Sequence, residues 1–220
     1  KEQMAEIAQH ARSLQMDVWG GMGSGFNSTD FRELDVRKNT TLYNPFKEAS
    51  YKYVFSLYHE ILQAYHPSTF LICHDEIKGL SVYAAESGKS TPDILATDVS
   101  RLYAWLSQRK VRTAMWGDML LDFNKWDSEV GSANSLNPAF NSGATHLALQ
   151  KIPKDVLMLD WHYDDKKSYG SVEYFHRNGF GVIGNPWYDA NAAKALAESV
   201  RKYGGQGIIT TDWGFLRTLS

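Results

Sequence analysis

DVLMLDWHYDDKKSYGSVEYFHRNGFGVIGNPWYD, residues 155–189, decides the fold class. It opens on an apolar run, Val156-Leu157-Met158-Leu159, that ends in Asp160-Trp161-His162-Tyr163. A helix-like stretch at about 168–178 follows. A second apolar run, 179–184, then ends in Asn185-Pro186-Trp187-Tyr188-Asp189. Short unbroken apolar runs read as strands buried on both faces. Strand, helix and strand in that rhythm imply an α/β protein with a parallel sheet and helices outside it.

The rhythm recurs on both sides of this stretch. Strands are predicted at 14–19, 69–73, 111–116, 156–161, 180–184 and 207–212. A helix over 1–13 carries Met4, Ile7, Ala8 and Ala11 at helical spacing. A second is capped by Asn44 with Pro45 in its first position, and Tyr53, Val54, Leu57, Ile61 and Leu62 form its apolar stripe. A third starts at Thr91-Pro92-Asp93 and runs to about Gln108, and a last one covers about 191–203. Residues 122–152 are long, polar and rich in Asn, Ser and Gly. No GxGxxG or GxxxxGK[ST] follows a strand, and GGMGSG at 20–25 matches neither, so a nucleotide-binding open sheet lacks its signature. A (β/α) barrel fits the same pattern.

The 220 residues, 43% hydrophobic, suffice for one sizeable core, and a single domain over 1–220 is expected. The net charge of −2 comes without a basic stripe, which argues against nucleic acid and anionic membrane as partners. No apolar run approaches the roughly 18 residues of a membrane span. Cys73 is the one cysteine, so no internal disulfide forms, and no Cys/His spacing suggests structural zinc.

Aromatic residues are 13% of the chain. Trp19, Trp116, Trp161, Trp187 and Trp213 fall at or just past predicted strand C-termini, several of them within two residues of an Asp. In a parallel barrel that face carries the active site. Trp also closes barrel ends as packing, but indole faces beside carboxylates suit a sugar, whose C–H faces stack while its hydroxyls hydrogen-bond. The adjacent carboxyls Asp75 and Glu76, at the end of the 69–73 strand, are the best candidates for chemistry. A Glu in an aromatic pocket beside another carboxylate is expected to hold its proton near neutrality and act as general acid. No Glu stands at the end of the 180–184 strand to act as nucleophile; only Asp189 is near. A reaction that takes its nucleophile from the substrate needs none, and that points to N-acetylhexosamine.

The Asp75-Glu76 pair, AMWGDMLL (114–121), KIPKDVLMLDWHY (151–163), GVIGNPWYDAN (181–191) and a terminal strand ending at Trp213 together resemble glycoside hydrolase family 20, the β-N-acetylhexosaminidases, in its hexosaminidase D-like branch. The resemblance covers roughly residues 1–215. It implies a (β/α)8 TIM barrel and substrate-assisted, retaining hydrolysis. Glu76 is then the general acid and base, and Asp75 orients the 2-acetamido group, whose carbonyl oxygen attacks the anomeric carbon. Trp116, Trp161 and Trp213 wall the sugar. Tyr188 or Trp187 touches the acetamide, Asp189 binds hydroxyls, and His74, Asp118 and Tyr163 complete the expected substrate contacts. The partner implied is an N-acetylhexosamine-containing glycan or glycoconjugate, with no metal or organic cofactor, and a homodimer is possible. Counted against eight units, about six are present, so the resemblance implies an N-terminally truncated barrel.

The family's His-x-Gly-Gly/Ala before its Asp-Glu is replaced here by Leu71-Ile72-Cys73-His74. Two other readings remain open at this stage. One is a carbohydrate-binding barrel without catalysis. The other is a metal-dependent hydrolase using residues among His74, Asp75, Glu76, Asp118, His162, Asp164 and Asp212.

Overall fold

The computed structural model of the protein describes residues 2–23, 34–126 and 143–212. They fall into two compact units, with the boundary between Leu157 and Met158. Among these residues no helix is long and apolar enough to cross a membrane.

The first unit runs through α1 (Glu2–Ser13), β1 (Trp19–Gly21), α2 (Glu48–Tyr65), β2 (Thr69–Leu71), α3 (Leu80–Ser87), α4 (Thr91–Ser107) and β3 (Arg112–Trp116). A short α5 (Phe123–Trp126) and a 3₁₀ turn (Thr145–Gln150) follow, the latter packed on α4. β2 pairs in parallel with β1 and with β3, Phe70 standing opposite Gly20 and Thr113. Pairing continues past the end of β2: Ile72 N donates to Ala114 O at 2.9 Å, and Trp116 N donates to Cys73 O at 3.0 Å. Residues 72–73 are therefore still aligned on β3 when the chain turns away.

α4 forms where the sequence places it, because a cap and a proline meet there. Ser90 Oγ accepts from Asp93 N, Pro92 occupies the first turn, and Ile94, Leu95, Val99, Leu102 and Leu106 are buried. Each such side chain contributes roughly 1.5–3 kcal/mol through burial. Asp98 lies in the same buried stripe and is wholly inaccessible.

Other elements depart from expectation for identifiable reasons. Trp19 starts β1 rather than ending a strand, and its indole N–H donates to Asp17 at 2.8 Å. α2 begins at Glu48 because Asn44 is spent on a tighter turn, its Oδ1 accepting from Phe46 N and its Nδ2 donating to Asp35. Its buried stripe is Tyr51, Val54 and Tyr58, rotated from the predicted one; Tyr58 packs on Phe70 with ring centroids 4.3 Å apart. In α1 only Ala8 is buried, and Met4 and Ile7 are exposed. α3 has no counterpart in the predicted helices. It begins after Gly79, whose left-handed φ of 73° lets the backbone pass against the Asn39 carbonyl.

The second unit continues β4 (Leu157–Trp161), followed by α6 (Gly170–Arg177), β5 (Val182–Asn185), α7 (Ala190–Lys202) and β6 (Gly207–Ile208). β5 is parallel to both neighbours, Ile183 opposing Leu159 and Gly207. Gly184 is a packing requirement: a Cβ there would press on Leu196 and Val200 of α7 and on Ile208. Each unit is thus a parallel α/β assembly, in line with the class read from the sequence.

Gly79→Ala tests the account of α3. A left-handed alanine costs about 1–2 kcal/mol, and the added methyl meets the Asn39 carbonyl oxygen. Urea unfolding should show a loss of at least about 1 kcal/mol; an unchanged midpoint would contradict this account.

Candidate active site

The chain leaves β2 through a turn that few side chains adopt willingly. Cys73, His74 and Glu76 have φ values of 60°, 65° and 43°, all left-handed. A non-glycine residue there costs about 1–3 kcal/mol unless its surroundings impose it. None of these three residues is a glycine, so other groups must hold the conformation.

The main support is a buried charge network. His74 is 1% exposed; its Nδ1 lies 2.8 Å from Ile72 O and its Nε2 2.6 Å from Asp98 Oδ2. A carbonyl and a carboxylate both accept, so both ring nitrogens are placed to donate, the pattern an imidazolium satisfies. The other Asp98 oxygen, Oδ1, accepts from Tyr43 Oη at 2.8 Å and from Tyr51 Oη at 2.6 Å. Burial alone works against the charged form of His74, but the hydrogen bond and the charge of Asp98 outweigh it and raise its pKa. Burial, and then the charge of Asp98, pushes both phenols upward, so they remain donors. Arg101 lies 3.7 Å over the Tyr51 ring and pairs with Glu48.

Asp75 and Glu76 follow directly, both half-buried. Glu76 N donates to Asp118 Oδ2 at 2.9 Å, so the 3₁₀ turn after β3 (Asp118–Leu120) anchors the far side of the pair. Burial raises the Asp75 pKa, and the charge of Glu76 adds to the rise, while the Asp75 N–H and His74 oppose it. The sequence led to an upward displacement being expected at the glutamate; the structure shows one at Asp75. Burial, and then Asp75, pushes the Cys73 thiol up to about 12 against an opposing bond from Trp116, so Cys73 is no thiolate at neutral pH. Trp116 is the last residue of β3 and nearly buried.

In the second unit, the ends of β4 and β5 carry a chain of rings. Trp161 and Tyr163 lie 5.1 Å apart by centroid, Tyr163 and Trp187 5.4 Å, and Trp187 and Tyr188 4.6 Å. Tyr188 is 74% exposed. Asp189 caps α7, its Oδ1 accepting from Asn191 N at 2.7 Å and Ala192 N at 2.9 Å. Below the rings, Ser171 Oγ donates to Asp160 at 2.7 Å and lies 2.8 Å from His162 Nε2. All three side chains are buried, so this Ser-His-Asp group is a structural brace with no open face for a substrate.

Of the expected site residues, the first unit therefore gathers His74, Asp75, Glu76, Trp116 and Asp118 around the end of β2, and the second gathers Trp161, Tyr163, Trp187, Tyr188 and Asp189. Trp213 lies outside the described residues. His74 and Asp118, expected as substrate contacts, bind protein atoms that hold the turn. Among the described residues no three His, Cys, Asp or Glu side chains gather as a group able to hold a metal ion. Asp98, Tyr43 and Tyr51 escaped the sequence reading. The signal for Asp98 was present: an acid four residues from both Ile94 and Leu102, on the buried stripe of α4.

The raised pKa of His74 has a consequence for stability. A protonated imidazole favoured by the fold stabilises it fully below about pH 6.5, the ordinary histidine value. That contribution is lost as pH rises through the higher value His74 has in the folded chain. The Tm gap between wild type and His74→Gln should therefore hold steady below about pH 6.5 and narrow as pH rises above it; a gap constant at every pH would contradict the imidazolium.

No family model and no curated protein matches the sequence. Solved structures do. The β-N-acetylhexosaminidase from Bacteroides fragilis NCTC 9343 matches with a TM-score of 0.56 and 12% identity, over 84% of this chain and 34% of that one. Dispersin B matches with a TM-score of 0.52 and 14% identity, over 91% of this chain and 60% of that one. The chain thus spans about a third of the first and three-fifths of the second. At such identities the likeness is one of fold: the α/β fold of this chain is similar to that of a β-N-acetylhexosaminidase.

Proposed function

We propose that the chain carries the catalytic residues of a glycoside hydrolase that removes β-linked N-acetylhexosamine, on the (β/α)8 scaffold of glycoside hydrolase family 20 and in its hexosaminidase D-like branch. The observation that carries this reading is the Asp75-Glu76 pair, displayed on a braced left-handed turn just past the end of β2. The fold likeness to a β-N-acetylhexosaminidase supports it.

In this reading Glu76 protonates the glycosidic oxygen as the bond to the anomeric carbon breaks. The acetamide carbonyl oxygen of the same sugar attacks that carbon, giving an oxazolinium ion, and Asp75 accepts the acetamide N–H and balances the growing positive charge. Glu76, now ionised, takes a proton from water as the water opens the ring with net retention. Two carboxyls with different duties need different environments. Trp116, Trp161, Tyr163, Trp187, Tyr188 and Trp213 serve as stacking faces for sugar, and Asp189 as a hydroxyl acceptor beside its cap bonds. The substrate is an N-acetylhexosamine-containing glycan or glycoconjugate, and no metal or organic cofactor takes part.

Glu76→Gln tests the assignment. General acid help matters most for a poor leaving group, so hydrolysis of N,N′-diacetylchitobiose should fall by roughly 10²–10⁴. The 4-nitrophenyl N-acetyl-β-D-glucosaminide, whose leaving group needs little protonation, should suffer less. Equal activity of variant and wild type would refute the role of Glu76. Wild-type binding of these sugars without cleavage would favour a carbohydrate-binding barrel instead.

A further inference from the structure

The turn that presents Asp75 and Glu76 has little freedom of its own. His74 is held at both ring nitrogens, by Ile72 O of its own segment and by Asp98 of α4. Asp98 is held in turn by Tyr51 of α2 and by Tyr43 of the segment before α2. Three separate parts of the first unit thus converge on the residue that precedes Asp75. A buried brace of this kind is more than local packing needs, since an apolar side chain at position 74 would fill the space without burying charge.

The charges around the pair have a definite arrangement. The end of β2 contributes Cys73, Asp75 and Glu76. α4 contributes Asp98 and, over the Tyr51 ring, Arg101, which is paired with Glu48 of α2. α2 also contributes Tyr51 and Tyr58, the segment before it Tyr43, and the end of β3 Trp116 and Asp118. Among the groups acting on Asp75, His74 supplies the favourable cation.

We propose that the His74–Asp98 ion pair is the positioning device of this site: it holds the left-handed turn that presents Asp75 and Glu76, and it sets a positive charge beside Asp75 that opposes the protonation its burial favours. Asp98, Tyr43 and Tyr51 act through His74 and are positioning residues. The kinetic consequence rests on the hydrolase reading; the electrostatic one does not.

The direct experiment is ¹³C NMR titration of the Asp75 carboxyl in the full chain, comparing wild type with His74→Gln and Asp98→Asn. Loss of the cation should move the Asp75 midpoint up by about one pH unit in either folded variant. An unmoved midpoint in a folded variant overturns the proposal. The wild type gives a second reading that needs no variant: ¹⁵N shifts of the His74 ring should report an imidazolium throughout the Asp75 titration, and a neutral ring overturns the proposal. With an N-acetylhexosaminide, the acid limb of the kcat/KM profile should move to higher pH in the variants, with kcat lowered and KM little changed, whereas a merely structural role lowers the active fraction and leaves the profile in place. If the wild type cleaves no such substrate, the hydrolase reading falls, and the two NMR results still decide the ion pair.

Discussion

A carboxylate without water must be met by donors from the protein, and Asp98 is met by three: the phenols of Tyr43 and Tyr51 and the imidazolium of His74. Removing one partner from such a buried pair leaves a charge uncompensated, typically at a cost of about 3–5 kcal/mol. That constraint organises the first unit. It fixes which face of α2 turns inward, because Tyr51 must reach Asp98. It fixes α4 likewise, because an acid in an apolar stripe is tolerable only opposite its donors. It also imposes left-handed backbone on Cys73 and His74, where a glycine would otherwise be expected.

The strain and the display of the carboxyl pair are two sides of one arrangement. A relaxed extended continuation of β2 would send neighbouring side chains to opposite faces. The left-handed turn, closed on its far side by the bond from Glu76 N to Asp118, ends that alternation at Asp75 and Glu76. Burial of Asp75 then works against its charge, and His74 works for it. The proposed chemistry needs that balance, since the acetamide partner must be an anion while its neighbour transfers a proton. Cys73 and His74 stand where glycine would adopt this backbone freely, and the bonds of His74 supply the support that backbone freedom does not.

The parallel α/β order was legible because it rests on local signals. The cap and proline of α4, the alternation of apolar runs with amphipathic stretches, and the Trp residues at the ends of β3 and β4 all lie within a few residues of what they predict. What failed depends on partners distant in sequence. Asn44 looks like a helix cap until Asp35 claims its amide nitrogen, and α2 starts later. The burial of Tyr51 and Tyr58 depends on Asp98 and Phe70, neither of them local. α3 is short and follows a glycine whose conformation is dictated by Asn39, so no periodic signal marks it. His74 read as a pocket residue because its sequence neighbours are Asp75 and Glu76; the carboxylate it binds lies 24 residues away. Asp189 shows the same ambiguity in reverse, a candidate sugar contact whose Oδ1 caps α7.

The central claim is that Asp75 and Glu76 support a reaction in which the substrate supplies its own nucleophile. A thiazoline derived from N-acetylglucosamine imitates the bicyclic oxazolinium ion, and only a site built for that intermediate should prefer it. Titration calorimetry is expected to show the thiazoline binding the wild-type chain at least about a hundredfold more tightly than N-acetylglucosamine, with Asp75→Asn removing the preference. Equal or undetectable binding of the two ligands by folded wild-type protein would contradict the account.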